Sequence, residues 1–325
     1  MEEKKEEEKK FEKGSIQFSK IEEKNEKSIE SNKENEEINL NLDNANIEDL
    51  MNIIETKNIE TDGTMIEYNG EQFIFKGQLD DKKNICGKGS IHYNDGRIYE
   101  GIFKNAKLNG AGKYISINGD IYEGFFNNGN LSGKGTIIKT KINDKTISKD
   151  DSSEINYEEN DNKIIYKGDI KDFKKEGNGI ESCEEFTYEG HFSNDMKNGE
   201  GFLIYTKSGD KYKGEFKDDQ ITGKGNYIWA NGDSYTGDFI DGKMEGSGKY
   251  KWPDGTEYIG EYKNTIREGK GMFKWNNGVI FEGNFINGKS NGKGVMKYKN
   301  KIIEVEYENG ICLGNKDAMK ELRDD

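Results

Sequence analysis

Residues 283–290, GNFINGKS, have the types and spacing of a phosphate-binding loop, in which backbone N–H groups and a lysine hold a nucleotide phosphate. Such a loop follows a strand and opens a helix, because the helix N-terminus contributes to phosphate binding. Here Gly283 falls inside a strand of the periodic pattern described below, Lys289 falls in a hairpin loop, and another strand follows. We interpret the match as an accidental one, made by an Asn-Gly turn.

Cys183 and His191 are close enough in sequence to suggest a thiol–imidazole pair for nucleophilic catalysis. Side chains of a strand alternate between its two faces, and the pattern places these residues on opposite faces. The other cysteines, Cys86 and Cys312, show no zinc-ligand spacing, and the chain has only two histidines. The acidic residues recur with the repeat, which is typical of a solvated face. We therefore expect no enzyme activity, no metal site and no cofactor, and free thiols in a reducing compartment.

The elements that carry these residues form a repeat. Each copy has an aromatic residue, a glycine two places on, a second aromatic, then Asn or Asp, and a Gly-x-Gly pair. Successive copies start 22 to 24 residues apart, except for one gap of 44. An internal period of this length indicates a repeat architecture. The opening aromatics are Phe75, Tyr99, Tyr122, Tyr166, Tyr188, Tyr212, Tyr235, Tyr258 and Phe281, and a degraded tenth copy opens at Ile303.

Segments such as YEGIFKNAKLNGAGKY and YTGDFIDGKMEGSGKY resemble the MORN repeat, and the resemblance covers residues 73–314, about three quarters of the chain. It is specific for the repeat and says little about function. The residues of each copy predict two strands joined by a hairpin loop that begins at Asn or Asp. We therefore predict an all-β fold, an elongated single-layer antiparallel β-meander of about ten β-hairpins.

Within one copy, the opening aromatic is expected opposite the aromatic that follows the Gly-x-Gly pair, with glycine opposite glycine. In the copy that opens at Tyr235, the partners are Tyr235 with Tyr250 and Gly237 with Gly248. Each ring would then lie over the gap left by a glycine, which offsets the usual cost of glycine in a strand. The other face is expected to be charged. Its expected cross-strand pairs are Glu215 with Lys224 and Glu261 with Lys270.

Residues 1–60 are an acidic, Lys/Glu/Asn-rich tail that is predicted to be largely disordered. Within it, apolar residues at helical spacing predict a short helix over residues 46–57. This helix either caps the open first edge of the sheet or docks on a partner. The apolar residues of this helix are Ile47, Leu50, Met51 and Ile54.

Residues 61–138 are predicted to hold the first three repeats, and residues 164–314 the remaining six and the degraded copy. The polar stretch 139–163 between them is interpreted as an insertion in a turn, with a decayed repeat as the alternative. Residues 315–325 form a C-terminal tail.

The ring face has binding potential, because partly exposed rings in a row form an apolar groove that could accept an amphipathic helix of a partner protein. The alternative is that the rings fill one another's gaps and leave little free surface. The candidate groove residues are Trp229, Trp252, Trp275, Tyr235, Tyr258, Phe281, Phe239 and Tyr262.

The net charge of −14 argues against nucleic acid as a partner and against electrostatic attraction to an anionic membrane. The N-terminus, MEEKKEEEKK, lacks the apolar core of a signal peptide, and no apolar run is long enough to span a membrane, which predicts a cytoplasmic protein.

The resemblance to MORN-repeat proteins implies a non-catalytic scaffold or protein-interaction module of a cytoskeletal, ciliary or cortical assembly. The alternative is a membrane-surface, phosphoinositide-binding or membrane-tethering adaptor. The short stretch after the repeats leaves no room for the catalytic domain that some MORN-repeat enzymes carry. An array with exposed edges could also pair end to end as a homodimer.

Overall fold

The computed structural model of the protein describes residues 59–68, 70–140 and 163–313. All regular structure in these residues is β-strand, so the predicted all-β antiparallel fold is confirmed. Within the same ranges, no helix with the length and hydropathy of a membrane span occurs. The helix predicted over residues 46–57 lies outside the described part of the chain.

The described residues form 21 strands, and each strand pairs antiparallel with the next one in sequence. They are β1 (Ile59–Tyr68), β2 (Glu71–Leu79), β3 (Ile85–Tyr93), β4 (Ile98–Lys104), β5 (Lys107–Ile115), β6 (Ile121–Asn127), β7 (Asn130–Thr140), β8 (Lys163–Lys171), β9 (Lys174–Ser182), β10 (Phe186–Ser193), β11 (Met196–Tyr205), β12 (Lys211–Lys217), β13 (Gln220–Ile228), β14 (Ser234–Ile240), β15 (Lys243–Lys251), β16 (Glu257–Lys263), β17 (Ile266–Lys274), β18 (Ile280–Ile286), β19 (Lys289–Tyr298), β20 (Lys301–Glu308) and β21 (Ile311–Cys312).

Strands β2 to β21 make ten hairpins, one for each copy that the sequence predicts. Strand β1 was not predicted, because it lies before the first repeat; it pairs with β2 and so covers the edge where the repeats begin. Among the described residues, no pairing joins β1 to β21, so the sheet is open. Each hairpin can bury its apolar side chains only against its neighbours.

Two-residue turns close nine of the ten hairpins, and five residues, 80–84, close the hairpin of β2 and β3. In the hairpin of β12 and β13, Asp218 and Asp219 have φ angles of 49° and 68°. A turn with positive φ at both positions matches the twist of paired strands and favours Asn, Asp or Gly, which explains the recurring Asn or Asp. The N–H of Asp219 also donates to the carbonyl of Lys197 in the preceding hairpin, at 3.0 Å.

The predicted register holds at the open end of each hairpin and fails near the turn. Tyr235 pairs with Tyr250, as predicted, and a register shift follows before Asp238. Beyond the shift, Phe239 pairs with Met244 rather than with the first glycine of the Gly-x-Gly pair, Gly246. A β-bulge therefore lies in the second strand.

The bulge gives the two glycines of each Gly-x-Gly pair different roles. Gly246 has a φ of 61°, a left-handed conformation that glycine adopts without strain. The recurring acidic residue of the first strand, here Asp238, accepts the N–H of Ser247 at 3.3 Å and so satisfies a donor that the bulge frees. These acidic side chains are thus part of the backbone hydrogen bonding.

The bulge also overturns the predicted charge pairs on the other face. Glu215 pairs with Thr222, and its carboxylate accepts the backbone N–H of Lys224 at 3.0 Å. The ammonium of Lys224 lies instead 3.1 Å from Asp238 of the next hairpin. The predicted pair Glu261–Lys270 is wrong for the same reason, because the carboxylate of Glu261 accepts the Lys270 N–H.

The face opposite the rings is not uniformly charged. Five isoleucines lie side by side across β4 to β8, and each pairs with the next: Ile98, Ile115, Ile121, Ile138 and Ile165. All five are half-buried. In the C-terminal repeats the same row mixes lysine with isoleucine, as in Lys211, Ile228 and Lys251. The prediction of a charged face is therefore wrong for the row over β4 to β8.

Most of the predicted insertion lies outside the described residues, which resume at Lys163. Thr140, the last described residue before this gap, pairs with Lys163. From that pair, β7 and β8 stay paired for nine positions. The interpretation of residues 139–163 as an insertion stays a prediction.

Candidate functional site

Five of the opening tyrosines, Tyr166, Tyr188, Tyr212, Tyr235 and Tyr258, lie over the glycines, as the sequence predicts. Tyr235 is 0% exposed, and a methyl group added at Gly248 would overlap its Cε2, Cζ and Oη atoms. Its hydroxyl donates to the carbonyl oxygen of Asp238 at 3.2 Å. The ring therefore fills the space that the glycine leaves, and its hydroxyl satisfies a carbonyl at the bulge. The same bond to the carbonyl three residues on recurs at Tyr166, Tyr188, Tyr212 and Tyr258.

The second aromatic of each copy joins these rings into a continuous layer, which we call the inner ring layer. Phe239 makes edge contacts with Tyr212 of the preceding copy, at 5.3 Å between ring centroids, and with Tyr235 of its own, at 5.1 Å. Such edge-to-face pairs are favourable beyond the area they bury. Burial raises the pKa of Tyr258 to about 12. The layer consists of Tyr166, Tyr188, Phe192, Tyr212, Phe216, Tyr235, Phe239, Tyr258, Tyr262, Phe281, Phe285 and Tyr307.

The copies that open at Tyr99 and Tyr122 fill the same space with leucine. Methyl groups added at Gly101 and Gly112 would each lie 3.1 Å from Cδ2 of Leu108. Leu108 is 2% exposed, whereas Tyr99 is only half-buried and stacks on Tyr114 at 4.6 Å. The opening tyrosine is thus displaced outward when leucine occupies the glycine gap.

A second row of rings lies outside the inner ring layer, and we call it the outer aromatic strip. Its rings are half-buried, so each keeps an exposed surface. Neighbouring centroids lie 4.6 to 5.4 Å apart in tilted arrangements. The strip consists of Tyr227, Trp229, Tyr250, Trp252, Phe273 and Trp275.

Two aspartates hold the tyrosines of the strip. The hydroxyl of Tyr227 donates to Asp210 at 3.2 Å, and that of Tyr250 donates to Asp233 at 2.8 Å. Burial, followed by the charge of the neighbouring aspartate or the hydrogen bond to it, raises the pKa of both phenols above the usual value. These aspartates lie in the turns that join consecutive copies, so they place negative charge along one side of the strip.

The structure divides the eight predicted groove residues between the two rows. Trp229, Trp252 and Trp275 lie in the outer aromatic strip. The other five are 0 to 6% exposed and are therefore inaccessible to a partner that docks on this face: Tyr235, Tyr258, Phe281, Phe239 and Tyr262. Sequence reasoning missed Tyr227, Tyr250 and Phe273 as surface rings. The signal available was their position opposite a buried tyrosine and two residues before a tryptophan.

A charged cluster interrupts the ring face between the two halves of the array. Glu181 is 5% exposed and pairs with Lys175 and, at 3.1 Å, with Lys197. The ammonium groups also lie over rings, Lys175 at 4.9 Å from the centroid of Phe192 and Lys197 at 4.5 Å from that of Phe186. Sequence reasoning missed this cluster, although Glu181 stands where later copies have Tyr227 and Tyr250, which was the available signal.

The residues that suggested catalysis are not assembled into a site. The Sγ of Cys183 donates to Glu185 at 3.0 Å and not to His191. Gly283 lies in β18, as predicted, whereas Lys289 was predicted in the loop and instead begins β19; the phosphate-loop match therefore folds as strand, turn and strand. In the ranges that the structure describes, no group of three His, Cys, Asp or Glu side chains is arranged to hold a metal.

A family model described as MORN repeat matches seven segments of the chain: residues 99–121, 122–140, 188–209, 212–234, 235–257, 258–280 and 281–301. No curated protein sequence matches the chain. The wild-type TCP10 domain of Danio rerio CPAP is 8% identical, with a TM-score of 0.36 over 68% of this chain and 94% of that one. The SAS-4 (dCPAP) TCP domain of Drosophila melanogaster, solved with a proline-rich motif of Ana2 (dSTIL), is 13% identical, with a TM-score of 0.25 over 60% and 81%. No function is transferred from similarities at this level.

Proposed function

The chain belongs to the MORN-repeat family, and on that premise we propose that it is a non-catalytic scaffold that binds a segment of a partner protein along the outer aromatic strip. The setting that we propose, a cytoskeletal, ciliary or cortical assembly, follows from what MORN-repeat proteins do. In this proposal the array supplies the binding surface, and the bound partner determines where in the cell the assembly forms.

One observation carries the proposal: six half-buried rings run in an unbroken row on a face whose inner rings are already fully packed. The strip rings pack with their inner side against the buried core and keep their other side in water. Large aromatic side chains that the fold leaves partly in water are the groups that most often anchor a protein interface. A contiguous apolar row of this kind usually marks an interaction site.

The experiment is proximity labelling with the full chain in its own cell, comparing wild type with the double variant Trp252→Ala and Trp275→Ala. We expect the strip variant to lose specific partners. The matched control is the double variant Ile240→Ala and Ile286→Ala, whose side chains are 56% and 47% exposed on the opposite face. Circular dichroism checks that both variants fold. If wild type and the strip variant label the same proteins, the strip is not the binding site.

A further inference from the structure

We propose that the segment bound by the outer aromatic strip is an extended, proline-rich one in the polyproline II conformation, with basic residues beside the Tyr227 end. This inference rests on the proposed function and names the chemistry of the partner. It is carried by the repeat distance of the strip, by the hydrogen-bond donors that it leaves free, and by its charge.

The first argument is the repeat distance. One hairpin adds two strand spacings, about 9.6 Å, so the tryptophans recur at roughly that interval along the array. Three residues of a polyproline II helix advance about 9.3 Å. Seven residues of an α-helix advance about 10.5 Å. From Trp229 to Trp275 the polyproline helix drifts out of step by about 0.6 Å and the α-helix by about 1.8 Å. A proline at every third residue can therefore meet every tryptophan.

The second argument is the free donors. The hydroxyls of Tyr227 and Tyr250 are already bound to aspartates. By contrast, none of the indole N–H groups of Trp229, Trp252 and Trp275 donates to another residue of the described ranges. Within the described ranges, the strip thus has one indole N–H per copy without an acceptor, on a ring that is half-buried.

These donors distinguish the two partner conformations. Inside an α-helix the backbone carbonyls are bonded within the helix, so an amphipathic helix offers the indoles little to accept a hydrogen bond. A polyproline II segment makes no internal hydrogen bonds, and its carbonyls point outward. Proline-rich segments are recognised by aromatic-lined grooves, and their outward carbonyls can also accept from indole N–H groups. The amphipathic helix of a partner, which the sequence analysis expects in this groove, is therefore the weaker fit.

The third argument is charge. Asp210 and Asp233 lie beside Tyr227 and Tyr250, in the half of the strip that begins at Tyr227, and place two negative charges there. At the other end, the guanidinium of Arg267 lies 5.5 Å from the ring centroid of Phe273. We therefore expect the bound segment to place its own basic residues near Tyr227 and Tyr250, which fixes its direction along the strip.

The test is an NMR titration in which synthetic peptides are added to the full chain. The indole N–H groups of the chain are isotope-labelled, and their signals are followed. The three tryptophans are the only ones in the chain and all lie in the strip, so every indole signal reports on this surface. The probe is a synthetic peptide with proline at every third residue and arginine at one end. The comparison peptides have the same composition with scrambled proline spacing, or form an amphipathic helix. We expect all three indole signals to shift saturably with the first peptide and weakly with the others.

Two variants sharpen the result. Trp252→Phe keeps a ring and loses the N–H, and we expect about five-fold weaker binding, the loss of one neutral hydrogen bond. Trp252→Ala removes the ring as well, and we expect a loss of at least about ten-fold. Ile240→Ala, on the opposite face, should bind like wild type.

The outcomes separate the two proposals. Equal shifts with the scrambled peptide would overturn the polyproline register. Binding of the helical peptide alone would overturn this inference and leave the strip as a partner site. If no peptide moves the indole signals, the inference fails, and the labelling experiment then decides whether the strip binds partners at all.

Discussion

The repeats that open at Tyr99 and Tyr122 and those that open at Tyr212, Tyr235 and Tyr258 share one sequence pattern and pack it in two ways. In the first group leucine fills the glycine gap, and the tyrosine stays half-buried in a stack. In the second group the tyrosine itself fills the gap and is 0% exposed. The comparison teaches that the glycine gap is the constant feature and that the residue filling it can change.

The two arrangements differ in the second residue after the turn. In the leucine-filled copies it is Leu108 or Leu131, which reaches back over the glycines. In the tyrosine-filled copies it is Ile221, Met244 or Arg267, paired with the second aromatic of the first strand. In the copies that open at Tyr212, Tyr235 and Tyr258, the aromatic residues after the Gly-x-Gly pair form the outer aromatic strip. A half-buried ring at the position of Tyr250 occurs with either filler, since Tyr114 of a leucine-filled copy is half-buried as well.

The largest effect is expected where a methyl group meets a buried ring. Gly248→Ala should lower the free energy of unfolding by at least about 3 kcal/mol, because the new Cβ overlaps the Tyr235 ring. Gly242→Ala is the control: it has a φ of 73° and nothing within 4 Å of its added Cβ, so only backbone strain of about 1 kcal/mol is expected. Urea unfolding measures both. Equal losses would mean that the ring does not occupy the gap.

Removing the filler of a leucine-filled copy comes next. Leu131 is 0% exposed and lies over Gly124, so Leu131→Ala should cost about 2.5 kcal/mol through a cavity. The corresponding residue of a tyrosine-filled copy, Ile221, is only half-buried, and Ile221→Ala should cost about 1 kcal/mol. A larger loss at Ile221 than at Leu131, again by urea unfolding, would contradict the two ways of filling.

Part of this comparison could be predicted from the sequence and part could not. Alternation of side chains gives the face of each residue, which is why the pairing of Tyr235 with Tyr250 was predicted correctly. Alternation does not give depth, so Tyr235 and Trp252 were predicted in one groove although only Trp252 keeps exposed surface. The opening tyrosine and the apolar residue after the turn lie on one face, and either can fill the space over the glycines. Which of them fills it depends on side-chain length and shape, which alternation does not give.

The bulge and the first strand were missed for other reasons. The left-handed conformation of Gly246 is invisible in a pattern that assigns every glycine to ring packing. Strand β1 belongs to no repeat, so periodicity gives it no signal. The proposed binding site therefore differs from the predicted one. Its three tryptophans were predicted from the sequence, whereas Tyr227, Tyr250 and Phe273 were recognised as surface rings only in the structure.

The charged cluster offers a third way to occupy the ring face. Glu181→Ala should cost about 2 kcal/mol, because it leaves the ammonium groups of Lys175 and Lys197 largely buried without their shared partner. Replacing all three together by apolar residues, with Glu181→Leu and both lysines changed to Met, should leave stability nearly unchanged. If the single variant were as stable as wild type, the cluster would have no structural role.

The smallest expected effect concerns the buried hydroxyls. Tyr235→Phe should lower the free energy of unfolding by about 1 kcal/mol, because the carbonyl of Asp238 loses its donor. Tyr99→Phe should change it by less than about 0.5 kcal/mol, because that phenol is half-buried and outside the gap. Phe281 opens a copy without a hydroxyl, so the ring alone suffices to fill the gap. Equal losses at Tyr235 and Tyr99 would remove this distinction.

The most direct test is a pair of double-mutant cycles on unfolding free energy. Tyr235→Leu removes the ring atoms that a methyl group at Gly248 would strike. We predict that the cost of Gly248→Ala falls by about 2 kcal/mol in that background, whereas Tyr99→Leu changes the cost of Gly112→Ala by less than about 0.5 kcal/mol. Additive behaviour in the Tyr235 cycle, or strong coupling in the Tyr99 cycle, would contradict the account.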